Sequence, residues 1–506
     1  MRFHLAAAGV LMVATNVLAD VRQPAVAGSF YPGERAALAR EVAEMLPAAQ
    51  AAAAAPLALI VPHAGYVYSG ATAGRVFAAL KGAPVSRVIL LGPSHNASFT
   101  GGALPSAHTT AFATPLGEVP IDREVVAALR RDDAFAGPTG AHDPEHCLEV
   151  ELPFIQATVG AVPIVPILVG HRTDDDTARA MARALAPFVT AGTVVVVSSD
   201  FTHHGQSYGY APFARDKALP GTLVELGRAT AERAAAVDPR GFIAQIEISG
   251  DTVCGARPVH VLLELLRHAF SGAGQVVDVT TSAAVSGSLS QVVTYAGVGF
   301  TGTWTAWRES DQPPVLGTLD QTEQAAALAL ARATLETYLN HGPALARWFA
   351  QHPVAGNLLA PAGVFVTLHN TGEKAQRLGR LRACIGVMEA REQLVDAILH
   401  NAVSAAHDPR FPTLEAKELP ALDLEISVLS PLKPVPAADA IVLGTHGVVL
   451  SKSGRQAVFL PQVASETGWD LATFLSNLSA KAGLPSDAWR SGARFEVFTA
   501  QVFGEH

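Results

Sequence analysis

Three short turns in the 506-residue chain carry side chains suited to metal or proton chemistry, and each follows an apolar, β-branched run. They read Val61-Pro62-His63-Ala64-Gly65-Tyr66, Gly92-Pro93-Ser94-His95-Asn96 and Ser198-Ser199-Asp200-Phe201-Thr202-His203-His204-Gly205. A fourth segment, Gly250-Asp251-Thr252-Val253-Cys254-Gly255, sets a thiol in a glycine-flanked turn. Two neutral imidazoles and a thiolate can bind a divalent transition metal and leave coordination positions open for substrate or dioxygen. The thiol of such a set is deprotonated outright and cancels one unit of metal charge. His63, His95 and Cys254 are thus candidate ligands. Asp200 and His203 are candidates for orienting them or for moving protons; the spacing to Asp200 favours His203 over His204. Any one of these residues alone reads as a hydrogen-bonded loop histidine or a small buried cysteine. Their recurrence at several strand ends is what points to a site.

Such turns converge only if the strands before them are neighbours running the same way. From about Val21 to Trp304, apolar runs (Leu57–Val61, Val88–Leu91, Ile164–Val169, Val194–Val197, Val292–Val298) alternate with alanine-rich helical stretches such as Ala36–Leu46 and Thr177–Phe188. Continuous apolar strands separated by helices predict an α/β fold: a doubly wound, mostly parallel sheet with helices on both faces. Ligands of such sheets bind in the crevice beyond the carboxyl ends of the strands.

A polar, proline-bearing linker over residues 306–317 ends this domain (20–305). A second, α+β domain over 318–506 opens on Asp320 and Glu323, the pattern of an N-capped helix. Strand-like runs follow at Gly363–Leu368, Leu424–Leu429 and Gly447–Leu450, with helical stretches at Gln393–Ala406 and Leu471–Ala482.

A net charge of −9 gives no global attraction to nucleic acid, and no nucleic-acid partner is expected. Residues 1–19 have the layout of a secretory leader, too short to span a membrane, and no other segment reads as membrane-spanning. The compartment is cytoplasmic, or periplasmic if that leader is genuine. The three cysteines form no C-x-x-C pair, which excludes a disulfide framework, a zinc knuckle and a radical iron–sulfur cluster. His142-Asp143-Pro144-Glu145-His146 has the H-x-x-E-H order of inverted zinc proteases. Asp143 and Pro144 instead suggest a helix cap and first turn, which would keep the two histidines apart. Glu145, His146 and Glu149 then read as helix-start and packing residues, and Cys147 as structural.

The segment Arg22-Gln23-Pro24-Ala25-Val26-Ala27-Gly28-Ser29-Phe30-Tyr31-Pro32 resembles the opening of the Memo family. So do Pro62-His63-Ala64-Gly65-Tyr66, Gly92-Pro93-Ser94-His95, Glu145-His146 with Leu148-Glu149, Ser199-Asp200-Phe201 with His203, and Cys254-Gly255. That family is similar in fold to class III extradiol ring-cleaving dioxygenases. The resemblance implies a site of iron type, with copper or zinc as alternatives, held by His63, His95 and Cys254 beside Asp200 and His203. It implies an oxidoreductase or oxygenase acting on a small molecule. The dioxygenases have a carboxylate where this chain has cysteine, so ring cleavage does not carry over. A binding module that captures phosphorylated or acidic ligands, and a zinc-dependent hydrolase, are the competing readings.

The second half resembles the AMMECR domain through Leu381-Arg382-Ala383-Cys384-Ile385-Gly386, Asp408-Pro409-Arg410-Phe411-Pro412, Glu425-Ile426-Ser427-Val428-Leu429 and Leu460-Pro461-Gln462-Val463. Ala383 stands where the family signature has glycine, which matters if the position needs positive φ. Cys384 beside Arg382 is a candidate second site, because a nearby cation lowers a thiol's pKa; a thiol packed under a strand is the equal alternative. The two domains, fused in one chain, are similar to proteins A and B of the AmmeMemoRadiSam system, which implies a separate radical SAM protein as partner.

Overall fold

Strands with no polar face are stable only where both faces are covered, and five such runs build the centre of the first unit. In the computed structural model, which describes residues 20–47, 54–309 and 312–505, they are Ala58–Val61 (β1), Arg87–Pro93 (β2), Ile164–Val169 (β3), Thr193–Ser198 (β4) and, with Phe270–Thr281 (β5), Val292–Trp304 (β6). Every residue of β1, β3 and β4 is buried. Among the described residues they belong to an eight-stranded sheet of order β5-β6-β1-β4-β2-β3, closed at one edge by Gly102–Ala103. The ladders β1–β4, β4–β2 and β2–β3 are parallel, and β6 joins β1 antiparallel. His203–His204 forms a short bridge to Val292–Val293 of β6. The leader expected over residues 1–19 lies outside the described residues. Among those described, no helix is long and apolar enough to cross a membrane.

The β5–β6 hairpin was not foreseen at its full length. β5 is an edge strand, mostly exposed over Ser271–Asp278, and its glycines and alternating polar residues hide its strand character.

Helix Tyr66–Phe77 (α1) follows β1; further along, Asp175–Leu185 (α2) packs beside Ala256–Ala269 (α3), and a buried carboxylate joins them. Glu264 of α3 has Arg179 Nε of α2 at 3.4 Å, His268 Nε2 at 3.4 Å and His260 Nε2 at 3.8 Å. Burial alone would raise the Glu264 pKa, but the neighbouring His260 ring and the Arg179 charge outweigh it and hold the group at about 2. Because the folded value lies below the ordinary one, the interaction stabilises fully above the ordinary carboxylate range and is lost as pH falls toward 2. A shift of that size is worth at most about 3 kcal/mol.

The units do not part at one point of the sequence. The second comprises Tyr210–Ala214, Arg240–Asp251 and Glu309–His506. Gln245 shows why: its buried carboxamide donates to Gly342 O at 3.0 Å and accepts from Ala346 N at 2.8 Å. Within this unit Gln321–Asn340 (α4) opens on the expected capping box of Asp320 and Glu323. It packs with Leu394–Ala405 (α5) against a four-stranded antiparallel sheet. That sheet comprises Gly363–Asn370 (β7), Leu381–Val387 (β8), Leu422–Leu429 (β9) and Ala500–Gly504 (β10), in the order β8-β7-β9-β10. A further sheet with helices Pro461–Thr467 and Leu471–Lys481 has its own core around Leu450, Phe474 and Leu478.

Replacing Glu264 with glutamine is expected to lower the unfolding free energy by up to about 3 kcal/mol near neutral pH. The gap should narrow between about pH 5 and about pH 2 in urea unfolding, and a gap independent of pH would contradict this account.

Candidate metal centre

The parallel neighbours β1, β4 and β2 end side by side, and each passes directly into one of the chemical turns. His63 follows β1, Asp200 follows β4 and His95 follows β2. The His63 and His95 rings lie 5.2 Å apart, edge to face. Cys254 arrives from the turn before α3 and sets Sγ 3.3 Å from His63 Nε2. That approach requires glycine at 255, where an added Cβ would meet the Ser199 side chain at 2.3 Å. The Gly255 N–H donates to Ser199 Oγ at 3.1 Å and fixes the turn.

A third imidazole completes the cluster. His146 lies 4.7 Å ring to ring from His95 and 5.5 Å from His63. One ligand atom from each of His63, His95 and His146 falls within 4.8 Å of the others. No helix begins at Asp143-Pro144, contrary to expectation. A 3₁₀ turn ends at His142, and helical structure resumes only at Glu149. The intervening loop turns Glu145 and His146 into the site. His142 points elsewhere, with Nε2 2.9 Å from Ala103 O, so the H-x-x-E-H pair does not converge. The signal that could have found His146 was the acid beside it, since a buried carboxylate next to a histidine often orients a ligand.

Glu145 performs that task twice. Its carboxylate lies 2.8 Å from His95 Nδ1 and 3.2 Å from His146 Nδ1, and it accepts the backbone N–H of His95 and of His146. Burial would raise its pKa, but the bonds from His146 and His95 prevail and keep it well below the usual range. An ionised Glu145 takes the Nδ1 protons and leaves Nε2 of both rings free for coordination.

Burial, then the neighbouring His95 and His146, push the His63 pKa far down, so the ring is neutral near pH 7. Burial, then the Asp200 charge, push the Cys254 thiol well up. Without an ion, Cys254 is a neutral thiol. Asp200 is itself raised by burial, partly offset by His203, and its Oδ1 accepts the His63 backbone N–H at 2.8 Å. His203 gives Nδ1–H to Thr252 O at 3.0 Å, while His204 is fully buried.

His63, His95, His146, Asp200 and His203 open onto a cleft of about 530 Å³. Phe30, Tyr68 and Tyr208 form aromatic parts of its wall, and Ser282, Ser286, Ser288, Ser290 and Gln291 a polar side. No lysine or arginine stands among its described lining residues.

Cys384 and Arg382 belong to the second unit. Thr367 Oγ1 donates to Cys384 Sγ at 3.2 Å. The Arg382 guanidinium is taken up by Glu418 at 3.0 Å and by Pro412 O at 2.9 Å. Arg410 is the cation bonded to the residue itself, at Cys384 O, 3.0 Å. Ala383 lies within β8 opposite Leu368, fully buried and not at positive φ, so alanine suits the position.

Imidazoles and a thiol at the carboxyl ends of a doubly wound sheet define an α/β protein with a candidate mononuclear metal site. The Memo-like protein family matches residues 22–299, and the chain belongs to it. An AMMECR1 domain matches residues 328–503. A MEMO1 family protein of Thermococcus onnurineus is 34% identical over 297 residues, 55% of this chain and 99% of the relative. A protein of Methanosarcina mazei is 37% identical over 198 residues, covering 37% of this chain and 94% of its own length. A solved structure, that of an uncharacterized protein from Pyrococcus horikoshii, is 32% identical with a TM-score of 0.31. It covers 36% of this chain and 90% of its own.

Glu145→Gln is expected to weaken metal binding by about 10–100-fold in chelator competition, because the rings lose their ionic anchor. Unchanged affinity would show that Glu145 orients no ligand.

Proposed function

We propose that the protein is a mononuclear non-haem metal-dependent oxidoreductase acting on a small molecule, with iron favoured over copper or zinc. The reading is carried by the convergence of His63, His95 and His146 within 4.8 Å, with Cys254 Sγ 3.3 Å from His63. Their chemistry fits a borderline divalent ion, with nitrogen and sulfur donors and room left toward the cleft. His63, His95 and Cys254 would hold the ion, with His146 in reach as a further donor. When bound, it supplies Lewis acidity and, for iron or copper, one-electron chemistry.

The chain's own groups supply the rest. His203, with Nδ1–H committed to Thr252, has Nε2 available to accept or return a substrate proton. The serine side can orient a hydroxylated or polar substrate, and the aromatic wall limits water. Capture of a phosphorylated peptide gains no support from a cleft whose described lining lacks lysine and arginine and whose deepest imidazole is held neutral. Fusion of a Memo-family domain to an AMMECR1 domain is consistent with a shared substrate or pathway, and with a separate radical SAM partner.

Protein purified anaerobically should carry about one ion per chain, and Cys254→Ala should lose most of it. Because the ion-free thiol is protonated, metal uptake near pH 7 should release about one proton in calorimetry across buffers, a release absent in Cys254→Ala. Oxygen uptake with a turned-over substrate separates the oxidoreductase from a zinc hydrolase. Wild-type protein without stoichiometric iron, copper or zinc would remove the proposal.

A further inference from the structure

Three glutamates of one short segment are buried, and they differ sharply in their partners. Glu145 is served by the imidazoles and backbone N–H groups described above. Glu149 accepts from the Arg22 guanidinium, from Tyr31 Oη at 2.6 Å, and from the backbone N–H of Ala25 at 2.7 Å and of Val26 at 3.0 Å. Both carboxylates face cations or several donors. Glu151, 1% exposed, is bonded to one neutral group, the Ser198 hydroxyl, at 2.9 Å.

The Ser198 oxygen has three partners: Cys147 O at 2.7 Å, His63 Nδ1 at 2.8 Å and Glu151 Oε1 at 2.9 Å. A hydroxyl offers one hydrogen and two lone pairs. A carbonyl brings no proton, so the hydrogen must go to Cys147 O. The two remaining partners then face lone pairs, and each must bring a proton of its own. For the ring, this puts the hydrogen on Nδ1 and leaves Nε2 bare toward Cys254. For the glutamate, it requires the acid form.

We propose that Glu151 is kept as a neutral carboxylic acid and acts as a positioning residue, locking Ser198 and, through it, the metal-competent tautomer of His63. Burial without a cationic partner favours the same state, since an uncompensated buried carboxylate is far costlier than a neutral acid. The direction of the Glu151 pKa agrees, pushed well up by burial. The arrangement also accounts for the third buried acid of the segment, which touches no ligand directly.

Only the affinity part of the test rests on the metal reading; the protonation state stands on the hydrogen count alone. Infrared spectra of the ion-free wild type near pH 7 should show a buried carboxylic-acid C=O stretch, shifted in D2O and missing in Glu151→Gln. Glu151→Ala should weaken binding of iron(II) by about tenfold, and Glu151→Gln should recover most of that loss, because an amide N–H can donate to Ser198 as the acid does. A wild-type spectrum without the acid band overturns the proposal, as does Glu151→Gln binding as weakly as Glu151→Ala. If the wild type binds no metal while the acid band is present, the metal reading fails and the neutral acid stands.

Discussion

Four imidazoles share one cleft, and the constraint that makes this possible is the fate of their Nδ1 atoms. His95 and His146 give theirs to Glu145, His203 to Thr252 O, and His63 to Ser198. Each bond fixes a tautomer and a ring plane and leaves Nε2 without a proton, that of His63 facing Cys254 Sγ. Without these acceptors neither the tautomers nor the ring planes would be set. The sheet supplies the positions, but the Nδ1 acceptors supply the orientation. All three acceptors lie outside the sheet's carboxyl-end turns or at their very start: Glu145 in the loop before Glu149, Ser198 at the end of β4, and Thr252 before α3.

This division of labour explains what could be read from the sequence. The apolar runs announced β1 to β4 to within a residue or two at most ends, because parallel strands buried on both faces leave an unbroken β-branched signature. The strand-end rule then brought His63, His95 and Asp200 to one rim, where the structure has them. Cys254 was legible from its glycine, whose missing Cβ lets the turn rest on Ser199. His146 was missed despite the acid beside it. Asp143-Pro144 mimicked a helix start, and nothing in the local pattern told a loop from a first turn. The ring's role depends on a carboxylate folded beneath it, a tertiary fact.

The second unit teaches a complementary lesson. A cation two residues from Cys384 suggested an activated thiol, but Arg382 is claimed by Glu418, and Arg410, distant in sequence, reaches the residue instead. Adjacency along a strand says which face two side chains share, and says little about which charges pair. Ala383 in place of glycine was harmless because the position is plain strand interior with its methyl in the core.

The turn at Gly255 has a consequence for selectivity. Because Ser199 and the backbone clamp that turn before anything is bound, the sulfur's place is set by packing and not by an incoming cation. A frame of this kind adapts little to its guest. It sorts ions by size and preferred angles, so the bound species reflects the stiffness of the pocket as much as the intrinsic strength of its donors.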